Sequence, residues 1–315
     1  MSYFSLIYLG IFSLTISVLS FFNIIYSYYF NLYLNIDSYI YSLILSLLLG
    51  LIFLIKKKDN RKLSIYHKIL TVISGYFILP LIISIPFYFG NYNMSFLDSY
   101  FESISGFTST GFSIFDNIKH LDESLILWRS TSQWVGGLYF LFSIILLINI
   151  FDDSFKKSLT NFLSFNTSET LKQSSKILIL YILLTFVIFL ILNVSDFRFF
   201  DSFNLSMTLI SSGGFLPVNN LSSIVDTNTK EIVFALLMLV SFFSIFLSYN
   251  LFFIKSKNIS FFQEDIYLFI YLITLIFLFF LLFNSEYNFS VILLSLTSSI
   301  SNVGVSLDHL PQNLS

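Results

Sequence analysis

Three observations predict an all-α membrane protein with about seven transmembrane helices and three re-entrant half-helices. Of the 315 residues, 56% are hydrophobic and 11% are charged, which is more apolar surface than a soluble fold of this length needs to bury. Seven apolar runs are long enough to cross a bilayer, and one short motif recurs three times between them. The net charge of −2 argues against nucleic-acid binding, and the absence of cysteine excludes disulfides and thiolate metal sites.

The apolar runs define the transmembrane helices. About 20 helical residues cross the hydrocarbon layer, and only a helix satisfies its own backbone there. The predicted spans cover residues 3–31, 38–55, 66–90, 124–150, 173–194, 230–254 and 265–284. The first run lacks the basic start and the cleavage site of a signal peptide, so we expect it to be retained as a span.

The basic residues of the connections predict the orientation. Lysine and arginine are concentrated after the second, fourth and sixth spans, at Lys56, Lys57, Lys58, Arg61, Lys62, Lys68, Lys156, Lys157, Lys172, Lys176, Lys255 and Lys257. Cytoplasmic loops of membrane proteins carry such an excess. The N-terminus is therefore predicted to be cytoplasmic, and the odd-numbered connections face outward.

One outward connection holds the uncharged stretch "SISGFTSTGF", residues 103–112. Aligning Gly111 with Gly214 places residues 98–115 over residues 201–218 with six of eighteen positions identical, and a weaker third copy follows at 293–307. Each copy follows a predicted span on the outer side. Three copies in register predict a repeated unit of helix, re-entrant half-helix, glycine-containing segment and helix.

The glycines in these copies point to ion binding. Glycine reaches positive φ and allows close approach of the backbone, and converging carbonyl oxygens can replace the hydration shell of a potassium ion. The partly negative C-terminal ends of the half-helices would favour a cation. Small residues also mediate helix packing in membranes, and a single cluster would indicate packing. Three copies on the same side favour the ion-binding interpretation.

These motifs resemble those of the Trk/Ktr/HKT superfamily of potassium transporters. "FESISGFTSTGFS" resembles its first pore loop, "WRSTSQWVGGLYFLF" the start of the following helix, and "TLISSGGFLPVNN" and "SLTSSISNVGVSL" its second and third pore loops. The resemblance implies helix, pore-loop, helix repeats around a pseudo-four-fold pore. It also implies that potassium is the transported substrate, with no organic cofactor.

The resemblance assigns selectivity-filter positions to four residues in each loop. They are Ser109, Thr110, Gly111 and Phe112, then Ser212, Gly213, Gly214 and Phe215, and finally Asn302, Val303, Gly304 and Val305. A serine in place of the first-loop glycine accompanies sodium preference in some plant members. Gly111 therefore resembles the potassium-permeable type.

The resemblance also implies a domain organisation. We expect an N-terminal helix pair at 1–60, a first repeat at 61–155, a second at 156–258 and an incomplete third at 259–315. Because the sequence stops after the third loop, without a fourth repeat, we expect a fragment, a split gene or a degenerate copy that does not conduct selectively alone. A non-conducting assembly subunit is the alternative.

Partners are implied by the resemblance alone. The chain is expected in the cytoplasmic (inner) membrane as a multi-pass homodimer, in contact with lipid and with a cytoplasmic nucleotide-binding regulatory subunit (TrkA-like). An intramembrane enzyme that uses "FDD", residues 151–153, is the rival from another class. His67, His120 and His309 are far apart in sequence and offer no base for such chemistry, so the sequence predicts a protein that is not an enzyme.

Several single residues have structural explanations. Arg129 is expected to snorkel to the outer surface or to support the filter, and Trp128 and Trp134 are expected at the membrane interface. Glu102 is expected to reach a partner such as Arg129 or to concentrate cations.

Five further polar or small positions complete the set. Gly136 and Gly137 are predicted to let helices approach closely. Asp98 and Asp201 are predicted to complement the dipoles of the half-helices. Asn250 is predicted to bond between helices.

Overall fold

The computed structural model describes residues 3–55, 65–147, 170–242, 262–283 and 287–307, and in these ranges all regular structure is helical. The chain forms two compact units. The first unit comprises Met1–Phe151 and Gly213–Asn219, and the second comprises Asp152–Ser212 and Asn220–Ser315. The predicted all-α membrane fold is confirmed, whereas the predicted repeat boundaries stay predictions.

The first unit contains six of the described helices. They are α1 (Tyr3–Tyr29), α2 (Ile36–Ile55), α3 (Ile65–Ile83), α4 (Ile85–Phe89), α5 (Phe96–Phe107) and α6 (Glu123–Leu147). A short 3₁₀ turn precedes α2, and another precedes α6.

The second unit contains five of the described helices. They are α7 (Thr170–Val194), α8 (Phe199–Ile210), α9 (Asn228–Phe242), α10 (Phe262–Phe283) and α11 (Phe289–Ile300). Within this unit α9 packs along α11, and α7 packs along α8.

Among the described residues, four helical stretches are long and apolar enough to cross a membrane. They are Ile7–Tyr29, Tyr33–Ile55, Ile65–Phe89 and Ile177–Val194, which confirms four of the predicted spans. Helix α6 has the necessary length of 25 residues, but its N-terminal half carries buried polar side chains. The predicted spans at 230–254 and 265–284 are only partly described, as α9 and α10.

The long helices pack through small residues. A Cβ atom on Gly50 would lie 2.7 Å from the Leu14 Cδ2 atom, so the glycine allows α1 and α2 to approach. Ser20 and Ser42 are both fully buried and share a hydrogen bond of 3.2 Å across this contact. The opposite faces carry exposed aromatic and aliphatic side chains, as expected of helices that face lipid.

Three helices have the same short length. Helices α5, α8 and α11 each contain 12 residues, which corresponds to about 18 Å at 1.5 Å per residue. The hydrocarbon layer is about 30 Å thick, so none of the three can cross it. Each is the half-helix that the repeated motif predicts, and each is followed by a glycine-containing segment.

Candidate functional site

The backbone after the three half-helices follows one pattern. Two residues beyond the end of each half-helix, a residue other than glycine has positive φ: Ser109 (54°), Ser212 (54°) and Asn302 (57°). Four residues beyond the end, a glycine has positive φ: Gly111 (82°), Gly214 (75°) and Gly304 (70°). Left-handed conformation costs free energy in residues other than glycine, so its recurrence at Ser109, Ser212 and Asn302, each two residues before a left-handed glycine, marks a shared and constrained structure.

We call the residues that follow α5, α8 and α11 and contain Gly111, Gly214 and Gly304 the first, second and third segments. A half-helix serine forms an equivalent hydrogen bond to the first and the third segment. The Ser105 hydroxyl donates to the carbonyl oxygen of Phe112, and the Ser298 hydroxyl donates to that of Val305, each at 2.5 Å and seven residues along the chain. In the second segment the equivalent hydroxyl, on Thr208, donates instead to the Leu205 carbonyl at 3.1 Å.

Gln133 of α6 holds the second segment. Its side-chain amide nitrogen donates to the carbonyl oxygen of Gly213, and its amide oxygen accepts from the Phe215 N–H at 3.2 Å. The side chain is fully buried. Sequence reasoning missed this residue, although a glutamine in an apolar span is itself a signal, because an unpaired amide is costly there.

A buried ion pair links α5 to α6. The Nε atom of Arg129 lies 2.8 Å from the Oε1 atom of Glu102, and the two side chains are 1% and 0% exposed. The prediction that Glu102 finds Arg129 is confirmed. The prediction that Arg129 snorkels to the surface is wrong, because the carboxylate and neighbouring loop atoms satisfy its guanidinium inside the protein.

The same ion pair also holds the two loops of the first unit. Glu102 Oε2 accepts from the Ile114 N–H at 2.9 Å, and Arg129 Nη2 donates to the Ser113 hydroxyl at 2.9 Å. The guanidinium carbon lies 4.3 Å from the centre of the Phe215 ring, a cation–π contact with the second loop. One buried pair therefore contacts both loops.

The twelve predicted filter residues all lie in the segments after the half-helices. Within the first unit, the first segment adjoins the second, because a Cβ atom on Gly111 would lie 2.6 Å from the Gly213 carbonyl oxygen. Phe112 is 69% exposed, whereas Phe215 is 2% exposed. In the third segment Val303 and Val305 are buried. Among the described residues, no atom lies within 4 Å of the place that a Cβ atom on Gly304 would take.

The structure contradicts the prediction for Trp128 and confirms the prediction for Gly136. Trp128 is buried, and its indole N–H donates to the Ile83 carbonyl at 3.0 Å, so its predicted place at the membrane interface is wrong. A buried carbonyl at the end of α3 needs a donor, which the indole supplies. The packing role of Gly136 is confirmed, because a Cβ atom there would collide with the Phe107 backbone.

Both predicted acidic residues occupy first turns of half-helices. Asp98 accepts from the hydroxyl of Ser95, the N-cap of α5, at 2.7 Å. Asp201 forms an ion pair with Arg198 at 3.4 Å. These positions fit the predicted interaction with the helix dipoles.

A second polar cluster fixes the loop that precedes α6. Asp122 accepts from the Tyr92 hydroxyl at 2.7 Å and from the Asn35 amide at 3.0 Å. Burial, together with the hydrogen bond to Asp122, raises the pKa of Tyr92 to about 12. The tyrosine therefore stays a neutral donor at physiological pH.

Other candidate groups do not form sites in the described ranges. There, no group of three or more histidine, aspartate or glutamate side chains could hold a metal ion. Asp152, Asp153, Asn250 and His309 lie outside the described residues.

Relatives of the chain are cation transporters by name. An uncharacterised cation transporter of Methanocaldococcus jannaschii is 29% identical over 192 residues, and the Trk system potassium uptake protein TrkH of Escherichia coli is 24% identical over 192 residues. Each alignment covers 59% of this chain and 40% of the relative. TrkI of Halomonas elongata is 38% identical over 66 residues, which is 21% of this chain and 12% of TrkI. No protein-family profile matches the sequence.

A solved structure shares the fold. The potassium transporter TrkH from Vibrio parahaemolyticus superposes with a TM-score of 0.75 at 19% sequence identity, over 96% of this chain and 65% of TrkH. The chain thus spans about two thirds of that transporter. This match confirms the predicted fold, and the named relatives support the resemblance to Trk potassium uptake proteins.

Proposed function

We propose that this chain, a multi-pass relative of the Trk potassium uptake proteins, forms part of a pore through which potassium ions enter the cell. The observation that carries the proposal is the threefold recurrence of a 12-residue half-helix followed by left-handed residues two and four positions beyond its end. Helix packing does not require the same backbone conformation in three loops. Binding of an ion by carbonyl oxygens requires a backbone conformation that directs these oxygens toward the ion.

Peptide oxygens are the proposed ligands. None of the twelve filter residues carries a charge, so the cation is recognised by carbonyl dipoles and by the partly negative C-terminal ends of the half-helices. Three of the carbonyls, at Phe112, Gly213 and Val305, already accept hydrogen bonds from the protein. We therefore assign ion contact to the remaining carbonyls, with those around Gly111, Gly214 and Gly304 as the centre of each segment.

The buried ion pair supports this role without competing with the ion. An unpaired Arg129 would place a positive charge close to the proposed cation path and repel potassium. Its pairing with Glu102 at 2.8 Å leaves a neutral unit that braces both loops of the first unit. The ion is then attracted by the backbone rather than by a fixed carboxylate, which would hold it too tightly for rapid release.

The proposal includes topology and partners. The basic connections support a cytoplasmic N-terminus in the inner membrane, which places the filter loops at the outer side. The homodimer and the cytoplasmic TrkA-like regulatory subunit are supported by the resemblance alone.

Growth and uptake test the proposal. The gene product that carries this chain is expressed in a bacterium that lacks its own potassium uptake systems. We expect growth at low potassium and uptake of the potassium tracer ⁸⁶Rb⁺ that excess sodium does not inhibit. Absence of both, with the protein present in the membrane, would refute potassium uptake.

Gly111→Ser is the informative variant. A side chain there meets the Gly213 carbonyl and must also adopt a φ of 82°, so the first two loops have to shift. We expect sodium to compete with ⁸⁶Rb⁺ more strongly than in the parent protein. Asn193→Ser, which changes an exposed residue of α7, is the control. Unchanged discrimination in Gly111→Ser would remove Gly111 from the filter.

A further inference from the structure

Gln133 and Gly213 form a contact that, within the described ranges, has no counterpart at the serine-held first and third segments. From it we infer that Gln133 is a positioning residue that sets the orientation of the second filter segment, and that position 213 is glycine because Gln133 occupies the space of a side chain. The inference rests on the proposed function, since it concerns which carbonyls of that segment reach the ion.

The geometry of the amide fixes two peptide groups at once. Gln133 donates to the carbonyl of Gly213 and accepts from the N–H of Phe215, so its two bonds bracket Gly214. An amide side chain is planar, with a donor and an acceptor in fixed relation, and it is fully buried here. Rotation of either peptide plane would leave a buried polar atom unpaired, which costs free energy.

The conformation of Gly213 does not require glycine. Positive φ occurs at Gly214 but not at Gly213. A Cβ atom at position 213 would instead overlap the side-chain amide of Gln133. The equivalent positions of the other two segments are Thr110 and Val303, so this position accepts a side chain where a half-helix serine holds the segment.

The second segment needs a brace from another helix because its own half-helix supplies none. Ser105 and Ser298 hold their segments at the carbonyl seven residues on, whereas the hydroxyl of Thr208 bonds within α8. Gln133 holds the second segment from α6 instead. It turns the Gly213 carbonyl into the protein, which leaves the carbonyls of Ser212 and Gly214 for the ion.

A double-mutant cycle tests the inference, with Gln133→Met and Gly213→Ala made singly and together. Methionine keeps the length of the side chain without its hydrogen bonds, and alanine adds the overlapping Cβ atom. We measure the ratio of ⁸⁶Rb⁺ to sodium uptake, per folded protein. In each single variant we expect this ratio to fall about threefold to tenfold, the factor that one neutral hydrogen bond represents.

The double variant decides whether the two positions act as a unit. If Gln133 and Gly213 act through a single contact, either substitution alone abolishes it. The ratio of ⁸⁶Rb⁺ to sodium uptake in the double variant should then be no lower than in the single variants. Asn193→Met, which removes an exposed amide from α7, is the matched control and should keep the parental ratio.

The outcomes separate this inference from the proposed function. A purely structural Gln133 would lower the yield and the Tm of the variants but leave the ion ratio unchanged, and that result would overturn the inference. Additive losses in the double variant would also overturn it. If the parent protein itself transports no ⁸⁶Rb⁺, the proposed function fails, and the coupling of the two positions is then measured from Tm values in the same four proteins.

Discussion

At the scale of single residues, substitutions at Gly304 measure the free-energy cost of a left-handed backbone conformation. It has a φ of 70°, and no atom of the described residues lies within 4 Å of the place a Cβ atom would take, so a substitution there meets strain without a collision with them. We expect Gly304→Ala to lower the free energy of unfolding by about 1–2 kcal/mol, and Gly304→Asn by less, since asparagine tolerates the left-handed region.

Thermal unfolding of the purified protein in detergent measures this series. The expected order of Tm is glycine, asparagine, alanine and then valine, whose branched side chain is least compatible with positive φ. If the alanine variant were as stable as the parent, the left-handed conformation of the third segment would be wrong.

The Glu102 and Arg129 side chains provide the second prediction at this scale. Removing one charge leaves the other buried and unpaired, so Glu102→Gln and Arg129→Met should each destabilise by about 3–5 kcal/mol. Removing both charges leaves no buried ion, and the double variant should be more stable than Arg129→Met. Unfolding in denaturant checks this order, and a double variant less stable than both single variants would contradict it.

Residue-level prediction from the sequence failed where burial decides the role. Arg129 and Trp128 stand near the predicted outer end of a span, where exposed arginine and tryptophan are common. Both are nevertheless buried, Arg129 against the Glu102 carboxylate and Trp128 against the Ile83 carbonyl. At Gln133 the available signal was an amide side chain in an apolar span, but the sequence does not show which residue this side chain contacts. The doublet Gly213 and Gly214 replaces the single glycine of the first loop, and the reason for the extra glycine is a contact that no local pattern contains.

At the scale of elements, the half-helices differ in how they begin. The Ser95 hydroxyl caps α5 by accepting from the Asp98 N–H at 3.2 Å, whereas Asn288 precedes α11 without a side-chain cap. Ser95→Ala should therefore cost about 1 kcal/mol of stability. Asn288→Ala is the matched control, and we expect a change within about 0.5 kcal/mol.

Tm values of the two variants test the capping assignment. Equal losses in Ser95→Ala and Asn288→Ala would show that the hydroxyl of Ser95 does not stabilise α5. A larger loss in Asn288→Ala would contradict the difference between the two starts.

The sequence predicted the elements better than the side chains. Internal repetition defined all three half-helices, because three aligned copies average out local ambiguity, and each copy forms a 12-residue helix. Of the seven spans that hydropathy predicted, the described residues confirm four as long apolar helices. Hydropathy is a weak criterion for α6, since the N-terminal half of this helix carries the polar residues that contact the loops.

At the scale of the whole molecule, we propose that the potassium ion is recognised by a backbone conformation that the three repeated segments share. The repeats have diverged in sequence, yet the offset from half-helix end to left-handed glycine is the same in all three. The braces differ, with serine in the first and third segments and Gln133 in the second. The three segments share a backbone conformation although different side chains stabilise them, as expected of a site in which peptide oxygens bind the ion.

Anomalous X-ray scattering from rubidium tests this central claim most directly. Crystals of the protein grown in rubidium chloride should show a rubidium peak in contact with the carbonyl oxygens of the segments that carry Gly111 and Gly214. Replacing rubidium with sodium should abolish ordered density at that position. A rubidium peak bound elsewhere, with these carbonyls turned away from it, would contradict the account.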